Sequence, residues 1–170
     1  MDRPARVYKK VWSNMEPEVE LDFFEIVKDF NERGIKYLII GRRAVVLYGA
    51  PVLTADYDFW IDSNEKEKVL AYFADKGCTL PDSEESRKPI IQVYAGPKKI
   101  DLFFHEAVRN LEGDLIEFGS CYERATIKED PEQDIFFYIP SIDDLIKTKK
   151  IKKENVKDLQ DIEYLLKAKE

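Results

Sequence analysis

The chain has 170 residues, 44% of them hydrophobic and 36% charged, a length suited to one ordinary domain and a composition that excludes disorder and fibrous classes. Its 27 basic and 34 acidic side chains give a formal charge of -7, which argues against a surface that grips nucleic acid over its whole extent but allows local basic patches. No apolar run approaches the ~20 residues of a membrane span. The start Met1-Asp2-Arg3-Pro4 lacks an export signal, and Cys78 and Cys121 lack the spacing of a disulfide framework or zinc site, so the expected home is the cytoplasm.

Taken in order, Leu21, Phe24, Val27 and Phe30 recur at helical spacing and predict a helix over Glu18 to Arg33, with Gly34 as its left-handed cap. Ile35 to Ile40 is a short apolar strand ending at Gly41. A short helix follows over Arg42 to Tyr48, stopped by Gly49 and Pro51. Thr54 to Asp62 reads as a strand in which period-two alternation sets Asp56, Asp58 and Trp60 on one face and Tyr57, Phe59 and Ile61 on the other. Asn64 with Glu67 resembles a capping box and opens a helix that ends near Gly77. Ile90 to Tyr94 and Lys99 to Phe104 form a hairpin about Gly96-Pro97, with Asp101 in its second strand. Asp134 to Ile139 is a further strand. Ser141 introduces a helix, and Asn155 with Asp158 opens the last one. The expected class is α/β (α+β) in one domain over 1–170, with a sheet region over about 18–140 and a helical part over about 141–170.

Chemistry concentrates at three places. Gly41 joins a strand to a helix, where unpaired backbone amides face outward and favour an anion such as a phosphate. Asp56 and Asp58 follow on a buried strand, and Asp101 lies on another with apolar flanks. Carboxylates gathered in a low dielectric repel one another unless a cation compensates, and hard oxygen ligands suit Mg²⁺ shared with substrate phosphates. Metal-assisted phosphoryl or nucleotidyl transfer is the reaction class this pattern points to.

The segments Ile40-Gly41-Arg42-Arg43-Ala44 and Thr54-Ala55-Asp56-Tyr57-Asp58-Phe59, with the later Asp101, resemble the nucleotidyltransferase superfamily of polymerase-β-like fold. Together with Pro140-Ser141-Ile142-Asp143-Asp144-Leu145, Lys149 and Lys157-Asp158-Leu159-Gln160-Asp161, they look most like small prokaryotic proteins related to AbiEii-type toxins. That resemblance implies a short mixed sheet flanked by helices with a C-terminal helical part. It implies that Asp56, Asp58 and Asp101 hold Mg²⁺ or Mn²⁺ and carry catalysis, with Asp101 helping to deprotonate the acceptor. It implies that Gly41, Arg42, Arg43, Thr54 and Lys149 bind the nucleoside triphosphate. The acceptor would be a hydroxyl on RNA such as a tRNA end, on protein or on a small molecule, and a cognate antitoxin would be a partner.

Arg42 departs from the family pattern, which has a second Gly or a Ser there. Its bulk either blocks close approach to the phosphates or supplies a guanidinium that binds them bidentately. Two rivals follow: a nucleotide-binding protein of the same fold with impaired catalysis, and a metal phosphohydrolase using the same carboxylates. Blander readings stand beside other residues. The cluster Lys147, Lys149, Lys150, Lys152 and Lys153 reads as a solvated helix face or a docking surface, Tyr48 and Trp60 as core or base-stacking groups, and His105 as incidental.

Overall fold

A computed structural model describes residues 19–170. The export reading of residues 1–4 and the Glu18 start of the first helix lie outside the described residues. Helix α1 spans Phe23–Glu32, because the Asp22 carboxylate accepts the Glu25 amide at 2.8 Å and fixes the start there. It buries Phe23, Ile26, Val27 and Phe30, and ends at Gly34 with φ +66°, the left-handed cap expected. Strand β1 is Tyr37–Ile39, helix α2 is Gly41–Leu47 and strand β2 is Tyr57–Ile61.

Two details differ from expectation between β2 and the next helix. The strand begins at Tyr57 rather than Thr54, because the Thr54 and Asp56 carbonyls accept from the Arg43 guanidinium and not from a neighbouring strand. The Asn64–Glu67 capping box is absent: the Asp62 carboxylate captures the Asn64 amide at 3.0 Å, opening a 3-10 turn over Ser63–Glu65 that runs into helix α3, Lys66–Asp75.

Strands β3 (Ile90–Ala95) and β4 (Lys98–Phe103) form the expected hairpin, with Gly96 at φ +58° in the turn. Strands β5 (Ala107–Arg109) and β6 (Leu115–Glu117), helix α4 (Phe118–Glu123) and strand β7 (Thr126–Asp130) were not foreseen. They are short or charged, and Thr-Ile-Lys-Glu-Asp carries no apolar run to mark it as a strand. Strand β8, Ile135–Ile139, pairs antiparallel with β7 and starts after Asp134, whose φ of +55° belongs to the turn. Helix α5 (Ile142–Thr148) is capped by Ser141, and helix α6 (Val156–Ala168) opens on a full Asn155–Asp158 capping box.

The main sheet has the order β1-β2-β4-β3, with β2 and β4 parallel and both outer pairs antiparallel. One face carries Phe59, Ile61, Ile100, Leu102, Ile91 and Val93 into the main core, against α1, α3 and β8. Each such side chain contributes about 1.5–3 kcal/mol by leaving water. On the other face Leu38 and Trp60 pack with Ile116, Phe118 and Cys121 in a smaller cluster. That cluster covers only one end of the second face; the other end carries the carboxylates. Among the described residues no helix is long and apolar enough to cross a membrane.

Candidate active site

Asp58 and Asp101 are register partners across the parallel β2–β4 pair. Adjacent strands lie ~4.8 Å apart, so the two carboxylates stand side by side on the less covered face of the sheet. Burial pushes Asp58 up to about 7, helped by the charge and hydrogen bonding of Asp101 and by the charge of Asp56, against the pull of Lys149. A partly desolvated carboxylate pair that resists double ionisation is the donor chemistry that a hard divalent cation relieves. The residues present therefore fit such an ion. Asp56 does not sit in the strand with them: it lies exposed just before β2, near enough for its charge to act on Asp58. Among the described residues no group of three or more His, Cys, Asp or Glu side chains is gathered into metal-holding geometry, so two carboxylates are preset and the third is not.

Gly41 has φ +71°, and a Cβ there would run into the Asp58 carboxylate. The residue type is thus required twice, by the backbone conformation and by the close approach to Asp58. Its position places the β1–α2 junction against Asp58, the β2 member of the acidic pair.

The cations expected to meet a triphosphate have different settings. Arg42 directs its guanidinium to α6, with Nε 3.3 Å from Asp161 Oδ1 and Nη2 donating to Gln160 Oε1 at 3.3 Å. Arg43 donates to the Thr54 carbonyl at 3.0 Å and the Asp56 carbonyl at 3.3 Å while lying over the Phe23 and Tyr57 rings, so it holds the loop that carries Asp56. Burial lowers its pKa, partly offset by Tyr57, Asp56 and Asp58. The Thr54 hydroxyl accepts the Asp56 amide at 3.2 Å in the same loop. Lys149 is 8% exposed and donates to Asp161 Oδ2 at 2.9 Å, and its charge reaches Asp58. Asp161, 2% exposed, therefore binds both Arg42 and Lys149.

Two further cations border the site and were not singled out from sequence. Lys98 Nζ lies 4.1 Å from the centre of the Tyr57 ring, and Lys99 Nζ is 3.7 Å from Asp101 Oδ2. Their position just ahead of Asp101 on a strand was the available signal. The wider lysine cluster disperses: Lys150 pairs with Glu112 at 2.9 Å, and Lys152 and Lys153 are exposed. Tyr48 donates to the Pro140 carbonyl at 2.6 Å, and buried Trp60 donates to the His105 carbonyl at 2.8 Å, which gives both rings framework roles.

No protein-family model and no curated protein matches this chain. Solved structures do. The chain is similar to the lincomycin-bound lincosamide antibiotic adenylyltransferase LnuA, with a TM-score of 0.64 at 17% identity over 85% of this chain and 94% of that one. It is also similar to the antibiotic-resistance factor ANT(2'')-Ia, with a TM-score of 0.56 at 12% identity over 85% of this chain and 80% of that one. At such identities the likeness is one of fold: the chain has a nucleotidyltransferase-like fold, a mixed sheet with flanking helices and a C-terminal helix.

Proposed function

We propose that this chain is a Mg²⁺-dependent nucleotidyltransferase that moves a nucleoside monophosphate from a nucleoside triphosphate to a hydroxyl acceptor and releases pyrophosphate. The observation that carries the reading is the Asp58–Asp101 pair, side by side on adjacent parallel strands, with the Gly41 junction against Asp58. The nucleotidyltransferase-like fold supports it. Asp58 and Asp101, with Asp56 presented beside them, would hold the divalent ion. When bound, that ion supplies Lewis-acid stabilisation of the α-phosphate and lowers the pKa of the attacking hydroxyl.

The chain's own groups do the rest. Asp101 takes the proton of the acceptor hydroxyl, a role its carboxylate fills without help from histidine. Gly41 lets the backbone close up against Asp58, which sets the β1–α2 junction beside the place of the triphosphate. Arg43 and Thr54 fix the loop that presents Asp56. Lys149 and Arg42, both held by Asp161, add positive charge toward the phosphates, where preorganised charge in a water-poor site acts most strongly. The whole chain acts as one catalytic unit in the cytoplasm. A toxin role with a cognate antitoxin rests on the sequence resemblance to AbiEii-type proteins alone.

The rival, a catalytically impaired nucleotide-binding protein, rests on Arg42 in place of a second small residue. Its guanidinium is engaged with Asp161 and Gln160 on α6, which speaks for the active reading. The test is pyrophosphate release from each of the four nucleoside triphosphates with Mg²⁺ and pooled acceptors. Release that disappears in Asp58→Asn is expected; nucleotide binding without release under every condition would favour the impaired protein.

A further inference from the structure

Asp101 has a second neighbour, on the side away from Asp58. The antiparallel β3–β4 register sets Gln92 opposite Asp101 and Tyr94 opposite Lys99. Residues directly opposite in an antiparallel pair stand on the same face, so Ile90, Gln92 and Tyr94 form a row beside the acidic pair. Their alternates Ile91, Val93 and Ala95 are buried in the core, whereas this row is open: Ile90 is 46% and Tyr94 38% exposed. Beyond β3 the chain touches the strand edge at Thr79, whose amide donates to the Tyr94 carbonyl at 2.8 Å. It then swings outward through Leu80 and Pro81 and a 3-10 turn over Glu85–Arg87 before re-entering at Ile90. The swing leaves a cavity of about 410 Å³, walled by Leu80, Pro81, Glu85, Ile90, Gln92 and Tyr94.

We infer that this cavity is the acceptor site, and that the acceptor is a small hydroxyl-bearing molecule, neutral or cationic, with an apolar body. The inference rests on the transferase reading above and names its substrate class. Position is the first ground: Gln92 in the cavity wall is the register partner of Asp101, one strand spacing of ~4.8 Å away, so a molecule seated in the cavity that extends past Gln92 reaches the carboxylate that takes the proton. Size is the second, since the volume falls in the roughly 300–1,000 Å³ range of small-molecule sites. Wall chemistry is the third. Leu80, Pro81, Ile90 and the Tyr94 ring face an apolar body, and the Gln92 amide both donates to and accepts from hydroxyls. Charge favours that class: the wall loop carries Asp82, Glu84 and Glu85 against Arg87 and Lys88, and Lys88 is paired to Glu85 at 2.8 Å, so the loop is net negative and does not attract the phosphate backbone of RNA.

In the transfer, the acceptor O–H bond breaks and its proton passes to Asp101. The freed oxygen pair forms a bond to the α-phosphorus of the nucleoside triphosphate. The bond from that phosphorus to the bridging oxygen breaks, and the electron pair leaves on pyrophosphate.

The experiment supplies α-labelled nucleoside triphosphate and Mg²⁺ with three acceptor pools: a low-molecular-weight cell extract, total RNA and total protein. Label is expected in the small-molecule pool, on species that an anion exchanger does not retain before reaction. Gln92→Trp fills the cavity and is expected to lower that labelling at least tenfold, with unchanged affinity for a non-hydrolysable triphosphate; the more exposed Ile90→Arg should do the same. Label in RNA or protein, none in the small-molecule pool, or unchanged labelling in both variants overturns the acceptor site. Loss of triphosphate binding by the unmodified chain would overturn the transferase reading itself.

Discussion

Asp161 is the best single lever on the account, because one buried carboxylate holds both cations assigned to the triphosphate. It is 2% exposed, accepts from Lys149 at 2.9 Å and lies 3.3 Å from Arg42 Nε. Asp161→Asn keeps shape and size but removes the negative charge. Lys149, itself 8% exposed, then keeps only Asp158 at 3.9 Å, and Arg42 keeps the neutral Gln160. Breaking a buried pair from one side costs about 3–5 kcal/mol. For a chain of this size 1 kcal/mol shifts Tm by roughly 2–4 °C, so a fall of about 10 °C is expected. Thermal and urea unfolding measure it, and a double-mutant cycle with Lys149→Met isolates the pair. A coupling of about 2 kcal/mol or more is expected. If Asp161→Asn costs less than about 1 kcal/mol and the two changes simply add, Asp161 does not organise these cations and the reasoning fails.

Gly41→Ala places a methyl group against the Asp58 carboxylate in a backbone conformation that disfavours side chains. It should destabilise the fold by about 1–2 kcal/mol and abolish Mg²⁺-dependent triphosphate binding, as calorimetry would show. Asp58 holds its proton up to about pH 7, well above the ordinary carboxylate range, chiefly through burial and Asp101. Between about pH 4 and 7 the folded state therefore binds more protons than the unfolded one, and stability should fall as pH rises through that window, by on the order of 1–3 kcal/mol. Asp58→Asn should flatten the slope, and Mg²⁺ should offset it at neutral pH; a stability that rises with pH across the window would contradict the assignment.

Much of the site was legible because it follows from short-range rules. Period-two alternation placed Asp58 with Trp60, the apolar flanks of Asp101 marked a central strand, and a glycine between strand and helix marked the junction at Gly41. Ser141 and Asn155 announced their helices through their capping side chains. What was hidden depends on partners distant in sequence. Asp56 falls outside its strand because Arg43 takes its carbonyl, which no local pattern encodes. The destination of Arg42 is set by α6, more than a hundred residues later. Buried Asp144, held below the usual carboxylate range because the two bonds from Arg124, at 2.9 and 3.0 Å, outweigh its burial, reads in sequence as one more surface acid of a helix start. The acceptor cavity arises from the edge of β3 and a loop with no motif of its own.

The central claim, that the Asp58–Asp101 face transfers a nucleotidyl group, is tested most directly by following two labels in parallel. One reaction carries nucleoside triphosphate labelled at the α-phosphate and the other at the γ-phosphate, each with Mg²⁺ and the low-molecular-weight acceptor pool. Transfer of the α-label, appearance of the γ-label in pyrophosphate, and loss of both in Asp58→Asn are the predicted results. Release of the γ-label as inorganic phosphate with no α-label on any acceptor would contradict the account and assign the same carboxylates to hydrolysis.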